Sequence, residues 1–199
     1  MRFVISLFMI LIVWPGSAPK ADIVWDYPFN DLSGEWSNNG RWYQSADSAW
    51  IHRDRFLPGA SGPETKSLVY STLTVPAGVD SLTIDLEQSY SLTGYAISGG
   101  WGASVAFSAT VDGSDSHIIF YDSATGRSAG WIGFTDGHIQ YTLPASAGQS
   151  VNLYFRAFTD VWGTISEAHL NWVFWEMTLT GHMPVSLENT TWAAIKQIR

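Results

Sequence analysis

Residues 147–181 read AGQSVNLYFRAFTDVWGTISEAHLNWVFWEMTLTG, and this stretch decides the fold. A turn-forming Gly-Gln pair precedes a run in which apolar and polar side chains alternate, and a second such run follows residues 160–163. A period of two places successive side chains on opposite faces of a sheet. The stretch therefore predicts two long β-strands joined by a loop that carries Asp160, Trp162 and Gly163.

Each predicted strand has one apolar face that suits a protein core. These faces consist of Val151, Leu153, Phe155 and Ala157 in the first strand and of Val173, Trp175, Met177 and Leu179 in the second. The opposite faces combine aromatic rings with charged groups, and they carry Tyr154, Arg156, Phe158, Trp172, Phe174 and Glu176. We expect this second set to form a ligand-binding face. The alternative is that the N-terminal segment covers it and that Arg156 pairs with Glu176 across the strands.

The composition of the chain excludes several classes of protein. It has 199 residues, a formal net charge of -8, 15% aromatic residues and no cysteine. Nucleic-acid binding needs clustered Lys and Arg, whereas the ten basic residues here are scattered. Anionic membrane surfaces are disfavoured for the same reason. The absence of cysteine excludes disulfides, thiolate catalysis and Cys-ligated zinc.

The N-terminal residues 1–21 predict an export signal. Arg2 supplies a positive start, Phe3 to Trp14 form one apolar run, and Pro15 ends it. Such a run suits the hydrophobic region of a signal peptide and is too short for a stable membrane anchor. We expect cleavage after Ala21 and a secreted or cell-surface protein. An exported chain without cysteine favours a bacterial source. A buried N-terminal helix is the alternative.

Residues 22–182 carry a series of strand signals and are expected to form one domain. IVWDYPF (23–29) predicts an edge strand, and Asn38-Asn39-Gly40 predicts a hairpin between Trp36 and Trp42. Alternation predicts that the inward-facing side chains include Leu82, Ile84, Leu86, Val105, Phe107, Ala109 and Val111. Roughly eight to ten short strands separated by turns are typical of an all-β antiparallel β-sandwich of the jelly-roll type.

The last residues, 183–199, differ in kind from the strands before them. Trp192, Ile195 and Ile198 recur at helical spacing, and Thr190 or Thr191 could cap a helix. A short helical tail, a sorting tail and a frayed terminus are all compatible with this pattern.

The last two predicted strands resemble a known kind of module. A Gly-Gln turn at 148–149, the strand VNLYFRA at 151–157 and the strand NWVFWEMTL at 171–179 resemble secreted bacterial jelly-roll modules. These are the carbohydrate-binding modules and the MAM-like, concanavalin-like sandwiches found beside exported enzymes and surface proteins. The resemblance covers about residues 66–181, and it implies a jelly roll and a glycan or cell-surface polymer as partner.

Five tryptophans in predicted loops form a second candidate site: Trp36, Trp42, Trp101, Trp131 and Trp162. Glycine flanks Trp101 and precedes Trp131, which leaves each ring free either to stack on a ligand or to fold onto the core. Eleven tryptophans less Trp14 leave ten after the predicted signal, which is more than a core of this size needs. We expect two or three of them to be exposed and functional.

A structural calcium ion is a third possibility, and no other cofactor is expected. Oxygen ligands could come from Asp26 and Asp31 near the first strand and from Glu176 near the last. Calcium takes six to eight oxygen ligands, and the chain has no dense aspartate loop that would supply them. The Asp112-Gly113-Ser114-Asp115 segment is more simply a hairpin turn.

Catalysis is the fourth possibility. No G-x-S-x-G, H-E-x-x-H or phosphate-loop motif occurs, and the five histidines show no ligand spacing. Glu87 and Glu176 lie on the polar phase of their strands and could face one cleft as the carboxylate pair of a retaining glycoside hydrolase.

The sequence as a whole therefore predicts a secreted, non-catalytic carbohydrate-binding module. Its rings would be Tyr154, Trp172 and a loop tryptophan, with Arg156 and Glu176 bonding to sugar hydroxyls. A glycoside hydrolase using Glu87 and Glu176, and a structural or adhesive surface protein, are the alternatives.

Overall fold

The computed structural model describes residues 22–28, 36–39, 42–45, 48–59 and 62–183. These residues contain no helix, and hence none that could cross a membrane. They form the strands β1 (Ile23–Pro28), β2 (Trp36–Asn38), β3 (Trp42–Gln44), β4 (Ala49–Phe56), β5 (Glu64–Thr74), β6 (Ser81–Val111), β7 (Asp115–Gly126), β8 (Gly130–Leu143) and β9 (Ser150–His182). The predicted signal sequence, and the predicted tail beyond Met183, lie outside the described residues.

Strands β6 and β9 form one continuous antiparallel ribbon. Their pairing runs from Ser81 opposite His182 to Val111 opposite Val151. The predicted loop around Asp160, Trp162 and Gly163 is therefore wrong, because these residues remain paired with β6 and the chain continues as a single strand. The turn-forming residues are real, but they mark a bend in a strand and not its end.

The ribbon contributes its two halves to two different sheets. In sheet 1 the order is β2, β5, the first half of β9 (150–161), the second half of β6 (100–111) and β7. In sheet 2 the order is β3, β4, the second half of β9 (166–182), the first half of β6 (81–96) and β8. Strands β4 and β1 share one edge of β9: β4 pairs with residues 167–174 and β1 with residues 176–181. The facing orders β5-β9-β6-β7 and β4-β9-β6-β8 make the fold an antiparallel jelly-roll sandwich, as predicted.

The bend between the sheets depends on irregular pairing and on glycine. The β6–β9 register shifts on either side of Ser98, and bulges of this kind bend a strand. Gly99 and Gly163 have φ values of 127° and 94°, and a Cβ on Gly163 would lie 2.3 Å from the Cα of Gly99. Only glycine allows both this backbone conformation and this close approach.

Aromatic side chains from both sheets meet in the core. Phe155 of sheet 1 stacks on its neighbour Phe107, with ring centroids 4.4 Å apart, and lies 4.4 Å from Phe174 of sheet 2. Trp172 packs edge-on against Phe174 at 4.7 Å. All seven side chains predicted to face inward from β6 are buried: Leu82, Ile84, Leu86, Val105, Phe107, Ala109 and Val111.

A cluster of charges joins the two sheets at the β4 and β5 edge. The Glu64 carboxylate of β5 accepts a hydrogen bond from the buried Arg53 of β4 and lies 3.3 Å from Arg55 Nη1 and 3.2 Å from Lys66 Nζ. Burial raises the pKa of Glu64, but hydrogen bonds from Arg53 and Lys66 and the positive charges of both outweigh burial and lower it to about 2. Three cations around one carboxylate hold this edge together.

Two local predictions have different outcomes. The prediction of an edge strand in 23–29 is confirmed, since β9 is the single partner of β1 within the described ranges. The predicted hairpin around Asn38-Asn39-Gly40 is wrong, because Trp36 in β2 pairs with β5 of sheet 1 whereas Trp42 in β3 pairs with β4 of sheet 2. The partner of Trp36 is Tyr70, whereas the partner of Trp42 is Ile51, so β2 and β3 belong to different sheets and do not pair with each other.

Candidate functional site

The polar side chains of the first half of β9 lie on the outer face of sheet 1. Tyr154 and Phe158 are half-buried and Arg156 is exposed, while Val151, Leu153, Phe155 and Ala157 are buried on the inner side. The guanidinium carbon of Arg156 lies 4.9 Å from the centroid of the Tyr154 ring, which is a cation–π contact. The predicted alternation is confirmed in this half of the strand.

In the second half of β9 the prediction that Trp172 and Phe174 share this outer face is wrong. Both side chains are fully buried, and Trp172 Nε1 donates a 2.7 Å hydrogen bond to the buried Oε1 of Gln88. The cause is a β-bulge: Glu87 pairs with Glu176, whereas Gln88 pairs with Phe174, which leaves Trp175 as an extra residue. One extra residue exchanges the faces of every side chain that follows it.

The bulge also corrects the position of Trp175. It was expected on the core face with Met177 and Leu179, but its side chain is 41% exposed whereas those two are fully buried. Trp175 and Glu176 both face solvent as consecutive residues. An aromatic ring and a carboxylate are therefore placed next to each other on the outer face of sheet 2.

Among the predicted loop tryptophans, Trp101 is part of the core. It is 1% exposed, and its Nε1 donates a 2.8 Å hydrogen bond to the carbonyl oxygen of Ser128. The glycines around it let the ring pack inward, so the prediction of a ligand-binding Trp101 is wrong.

The other loop tryptophans have different environments. Trp42 is buried and Trp36 is half-buried against Tyr70, with ring centroids 5.0 Å apart. Trp162 is 39% exposed and its ring lies over Gly100. The side chain of Trp131 lies outside the described residues, although its backbone pairs with Thr93.

A shallow groove crosses the outer face of sheet 2 from β8 through β6 to β9. It consists of two adjoining hollows of about 420 Å³ and about 300 Å³ that share Glu87 and His138. We call it the acidic groove, and its described lining residues are Asp85, Leu86, Glu87, Gln88, Gly137, His138, Trp175, Glu176 and Thr178.

The sheet register places the carboxylates of the acidic groove side by side. Glu87 stands opposite Glu176 on one side and opposite His138 on the other. His138 Nε2 and Gln140 Nε2 each lie 3.0 Å from Asp85 Oδ1, so these side chains hold Asp85. Within the described part of the chain, neither Glu87 nor Glu176 forms an ion pair. Both remain available to a ligand.

An aromatic pair lies on the same outer face. Tyr43 of β3 stacks on Trp50 of β4 with ring centroids 4.6 Å apart, and Tyr43 is 49% exposed. Trp50 pairs with Val173, two residues before Trp175 in β9. Aromatic rings therefore follow the groove toward the β3 edge of the sheet.

A polar network occupies the remainder of this face. Asp54 lies between two histidines, with its carboxylate oxygens 2.7 Å from His52 Nε2 and 2.6 Å from His169 Nδ1. The other ring nitrogen of His52 donates to Asn171 Oδ1. That bond raises the pKa of His52. Burial lowers this pKa, and the hydrogen bond with Asp54 and its negative charge raise it further, so the pKa of His52 is raised overall. Burial raises the pKa of Asp54, but hydrogen bonds from His169 and His52 outweigh burial and lower it.

The predicted calcium site cannot be assembled from the described side chains. No group of three or more His, Asp or Glu among them is placed to hold a metal ion. Asp31 and the side chain of Asp26 lie outside the described residues, so calcium stays a prediction. Asp112 and Gly113 form the predicted hairpin turn with φ values of 50° and 74°. The Asp112 carboxylate is occupied by the Ser150 amide at 2.8 Å and by Gln149 Nε2 at 2.9 Å.

Comparisons with known proteins give only distant likenesses. No protein-family model matches the chain, and no curated protein sequence matches it. The mannan-recognising carbohydrate-binding module TmCBM27 is similar at 15% identity over 82% of this chain and 100% of that one, with a TM-score of 0.33. The N-terminal cellulose-binding domain of Cellulomonas fimi β-1,4-glucanase C is similar at 15% identity over 85% and 100%, with a TM-score of 0.31.

A viral chain gives the same TM-score as the mannan-recognising module. The structure of the infectious bursal disease virus Gx strain shows 10% identity over 91% of this chain and 42% of that chain, with a TM-score of 0.33. The chain thus spans less than half the length of this viral protein.

Proposed function

We propose that this protein is a carbohydrate-binding module whose ligand lies in the acidic groove against the ring of Trp175. The observation that carries this proposal is the exposed indole of Trp175 beside the free carboxylates of Glu87 and Glu176 in one open groove. Sugars present flat C–H faces that pack on aromatic rings, and their hydroxyls need polar partners alongside. We further propose that the protein is exported by the signal in residues 1–21, and that it acts at or outside the cell surface.

The shape of the groove suits a polymer better than a small molecule. Its two hollows adjoin one another across three strands, and both are open to solvent. The Tyr43–Trp50 stack extends the aromatic surface beyond Trp175. A chain of several sugar units could contact Trp175 and the stacked pair together, whereas a single sugar would cover only one of these rings.

The test is a titration of the full-length protein with soluble mannan, galactan, xylan and β-1,4-glucan, followed by intrinsic tryptophan fluorescence. We expect saturable binding to at least one polymer that is lost in Trp175→Ala. Trp162→Ala is the matched control, because Trp162 is equally exposed but lies on the bend between the sheets. Binding that survives Trp175→Ala and disappears in Trp162→Ala would move the site away from the groove. Saturable binding to none of the polymers would contradict a carbohydrate function and leave the structural or adhesive alternative.

A second candidate function is retaining glycoside hydrolysis, which the position of Glu87 opposite Glu176 favours. Directly opposed residues on antiparallel strands have Cβ atoms about 4.5–5.5 Å apart, and the carboxyl groups of retaining enzymes are about 5–5.5 Å apart. One ionised carboxylate would attack the anomeric carbon while the other group, in its protonated form, gives its proton to the leaving oxygen. That second group would then take a proton from a water molecule, which releases the sugar from the first carboxylate. Release of reducing ends in the same titrations, abolished by both Glu87→Gln and Glu176→Gln, would establish hydrolysis. Binding without new reducing ends would exclude it for those polymers.

A further inference from the structure

Among the described residues, the outer face of sheet 2 carries carboxylates and no lysine or arginine. Its outward-facing carboxylates are Asp54, Asp85, Glu87, Glu167 and Glu176. The described lysines and arginines lie elsewhere: Arg53, Arg55 and Lys66 surround Glu64, Arg156 lies on the outer face of sheet 1, and Arg127 follows the end of β7. Among the described lining residues of the acidic groove, His138 is the one basic side chain, and it lies 3.0 Å from Asp85.

Glu87 and Glu176 are therefore two opposed carboxylates without a described counter-ion. Like charges directly across a pair of strands destabilise a sheet. Both side chains are exposed, so water reduces the repulsion but does not reverse its sign. A cation placed between the two carboxylates would convert this repulsion into two charge-assisted hydrogen bonds.

The bulge fixes where such a cation has to be attached. Because Trp175 is the extra residue, its ring projects on the same outer surface as the adjacent Glu176. A sugar ring packed on Trp175 thus holds its ring substituents within reach of the carboxylate pair. The cation should be a short substituent on the sugar ring itself and not the end of a long flexible chain.

We propose, building on the carbohydrate-binding function above, that the acidic groove selects glycans with protonated amino groups, the class of 2-amino-2-deoxyhexose polymers. The sugar ring packs on Trp175 and its ammonium group lies between Glu87 and Glu176. Uronic-acid and sulfated glycans are rejected by the same carboxylates. Neutral glycans still stack on Trp175, but they lack the charge-assisted bonds and bind more weakly.

The experiment compares three hexasaccharides of the β-1,4 series with the full-length protein by calorimetry at about pH 6 and low salt. They are the glucosamine, N-acetylglucosamine and glucose hexamers, which differ at carbon 2 alone. We expect the glucosamine hexamer to bind about tenfold more tightly than the other two. That preference should fall as salt is added, because exposed charge interactions are screened.

Variants assign the preference to the two carboxylates. Glu87→Gln and Glu176→Gln should each remove most of the preference for the glucosamine hexamer, measured as the ratio of its affinity to that of the glucose hexamer, so that a loss common to both ligands does not affect the result. Glu167→Gln is the control, since Glu167 is on the same face and strand but does not line the groove. It should leave the preference intact.

The outcomes separate this inference from the proposed function. Equal or weaker binding of the glucosamine hexamer, with the neutral hexamers still bound through Trp175, would overturn the inference alone. Failure of all three hexamers to bind, together with the polymers tested above, would overturn both. Polylysine is included as a basic peptide: if it binds as tightly as the glucosamine hexamer and Trp175→Ala does not weaken either, the groove recognises positive charge without a sugar ring and the inference is wrong.

Discussion

The indole ring of Trp101 lies directly against the backbone of Gly94, so closely that a Cβ on Gly94 would come 2.0 Å from Trp101 Cδ2. Gly130 borders the same ring from β8, where a Cβ would come 2.6 Å from Cζ2. Trp101 thus occupies a space that exists because its neighbours on β6 and β8 have no side chain. The ring closes the core near the bend of the ribbon.

Replacing Gly94 with alanine is expected to destabilise the protein strongly. The added methyl group and the buried indole would compete for one space, and overpacking of this kind costs about 1–3 kcal/mol and occasionally more. We expect a loss in free energy of unfolding of about 3 kcal/mol or more, measured by denaturant titration. Gly137→Ala is the control, because a Cβ there would meet nothing within 4 Å. A Gly94→Ala protein as stable as the Gly137→Ala protein would show that the ring can move aside.

The buried bond between Trp172 and Gln88 should appear as energetic coupling. Trp172→Phe leaves Gln88 Oε1 without its donor, and Gln88→Leu leaves Trp172 Nε1 without its acceptor. Each change should cost about 1–3 kcal/mol, because a buried polar group loses its partner. The double variant should lose less than the sum of the two by about 1–2 kcal/mol. Trp175→Phe, at the exposed bulge, is the control and should change stability by less than about 0.5 kcal/mol. If the losses of Trp172→Phe and Gln88→Leu simply add in the double variant, the bond between the two side chains does not contribute to stability.

The charge cluster at the β4 and β5 edge predicts a loss of stability in acid. The pKa of Glu64 is lowered from 4.5 to about 2 in the folded state, so its contribution is complete above the unfolded value. It is lost as pH falls from about 4.5 toward about 2. Glu64→Gln should remove this part of the pH dependence and destabilise the protein at pH 6, because Arg53 then keeps a buried charge without its partner.

The measurement for Glu64 is the free energy of unfolding of both proteins between about pH 6 and about pH 2.5. Asp115→Asn, at an exposed position that starts β7, serves as the control for removing one negative charge. If the stability of Glu64→Gln falls with acid as steeply as that of the unchanged protein, the ion pairs of Glu64 do not stabilise this edge.

His52 is expected to titrate above the ordinary histidine value of 6.5. Its two ring nitrogens face acceptors on Asn171 and Asp54, and the doubly protonated imidazolium satisfies both. The stability from this arrangement is present below the ordinary value and lost as pH rises through the raised one. In an NMR titration Asn171→Ala should lower the pKa of His52, whereas Asn152→Ala on sheet 1 should leave it unchanged. An identical curve for His52 in both variants would contradict the role of Asn171.

The sequence predicts the fold wherever strand pairing stays regular. From Val111 opposite Val151 to Gly100 opposite Trp162 the ladder has no register shift. The alternation correctly assigns Val151, Leu153, Phe155 and Ala157 to the inner face. The bend beyond it resembles a loop in the sequence, because Asp160 and Gly163 are residues that also form loops. Only the partner strand shows that the chain continues, and that partner is some 60 residues earlier at Gly100.

The outward-facing residues of the candidate site are predicted less well from the sequence than the fold is. The reason is the β-bulge at Trp175, which adds one residue to β9 and leaves no mark in the sequence. The letters WVFWEM (172–177) fit an alternation with Trp172 and Phe174 outside as readily as one with Trp175 outside, because all three side chains are aromatic. Glu87 and Glu176 were expected to face one cleft as the alternative catalytic pair, and they line the same groove. The stacked pair Tyr43 and Trp50 was missed, since short strands in an irregular segment give no periodic signal.

The central place of β9 in both sheets has a consequence for protein synthesis. Of the described strands that precede it, β3 pairs with β4, β2 pairs with β5, and β7 and β8 pair with β6; β1 pairs only with β9. Until residues 150–182 leave the ribosome, these groups have no strand to connect them, and the inner edges of β4, β5 and β6 stay open. The nascent chain must therefore be shielded from other chains until β9 has been synthesised.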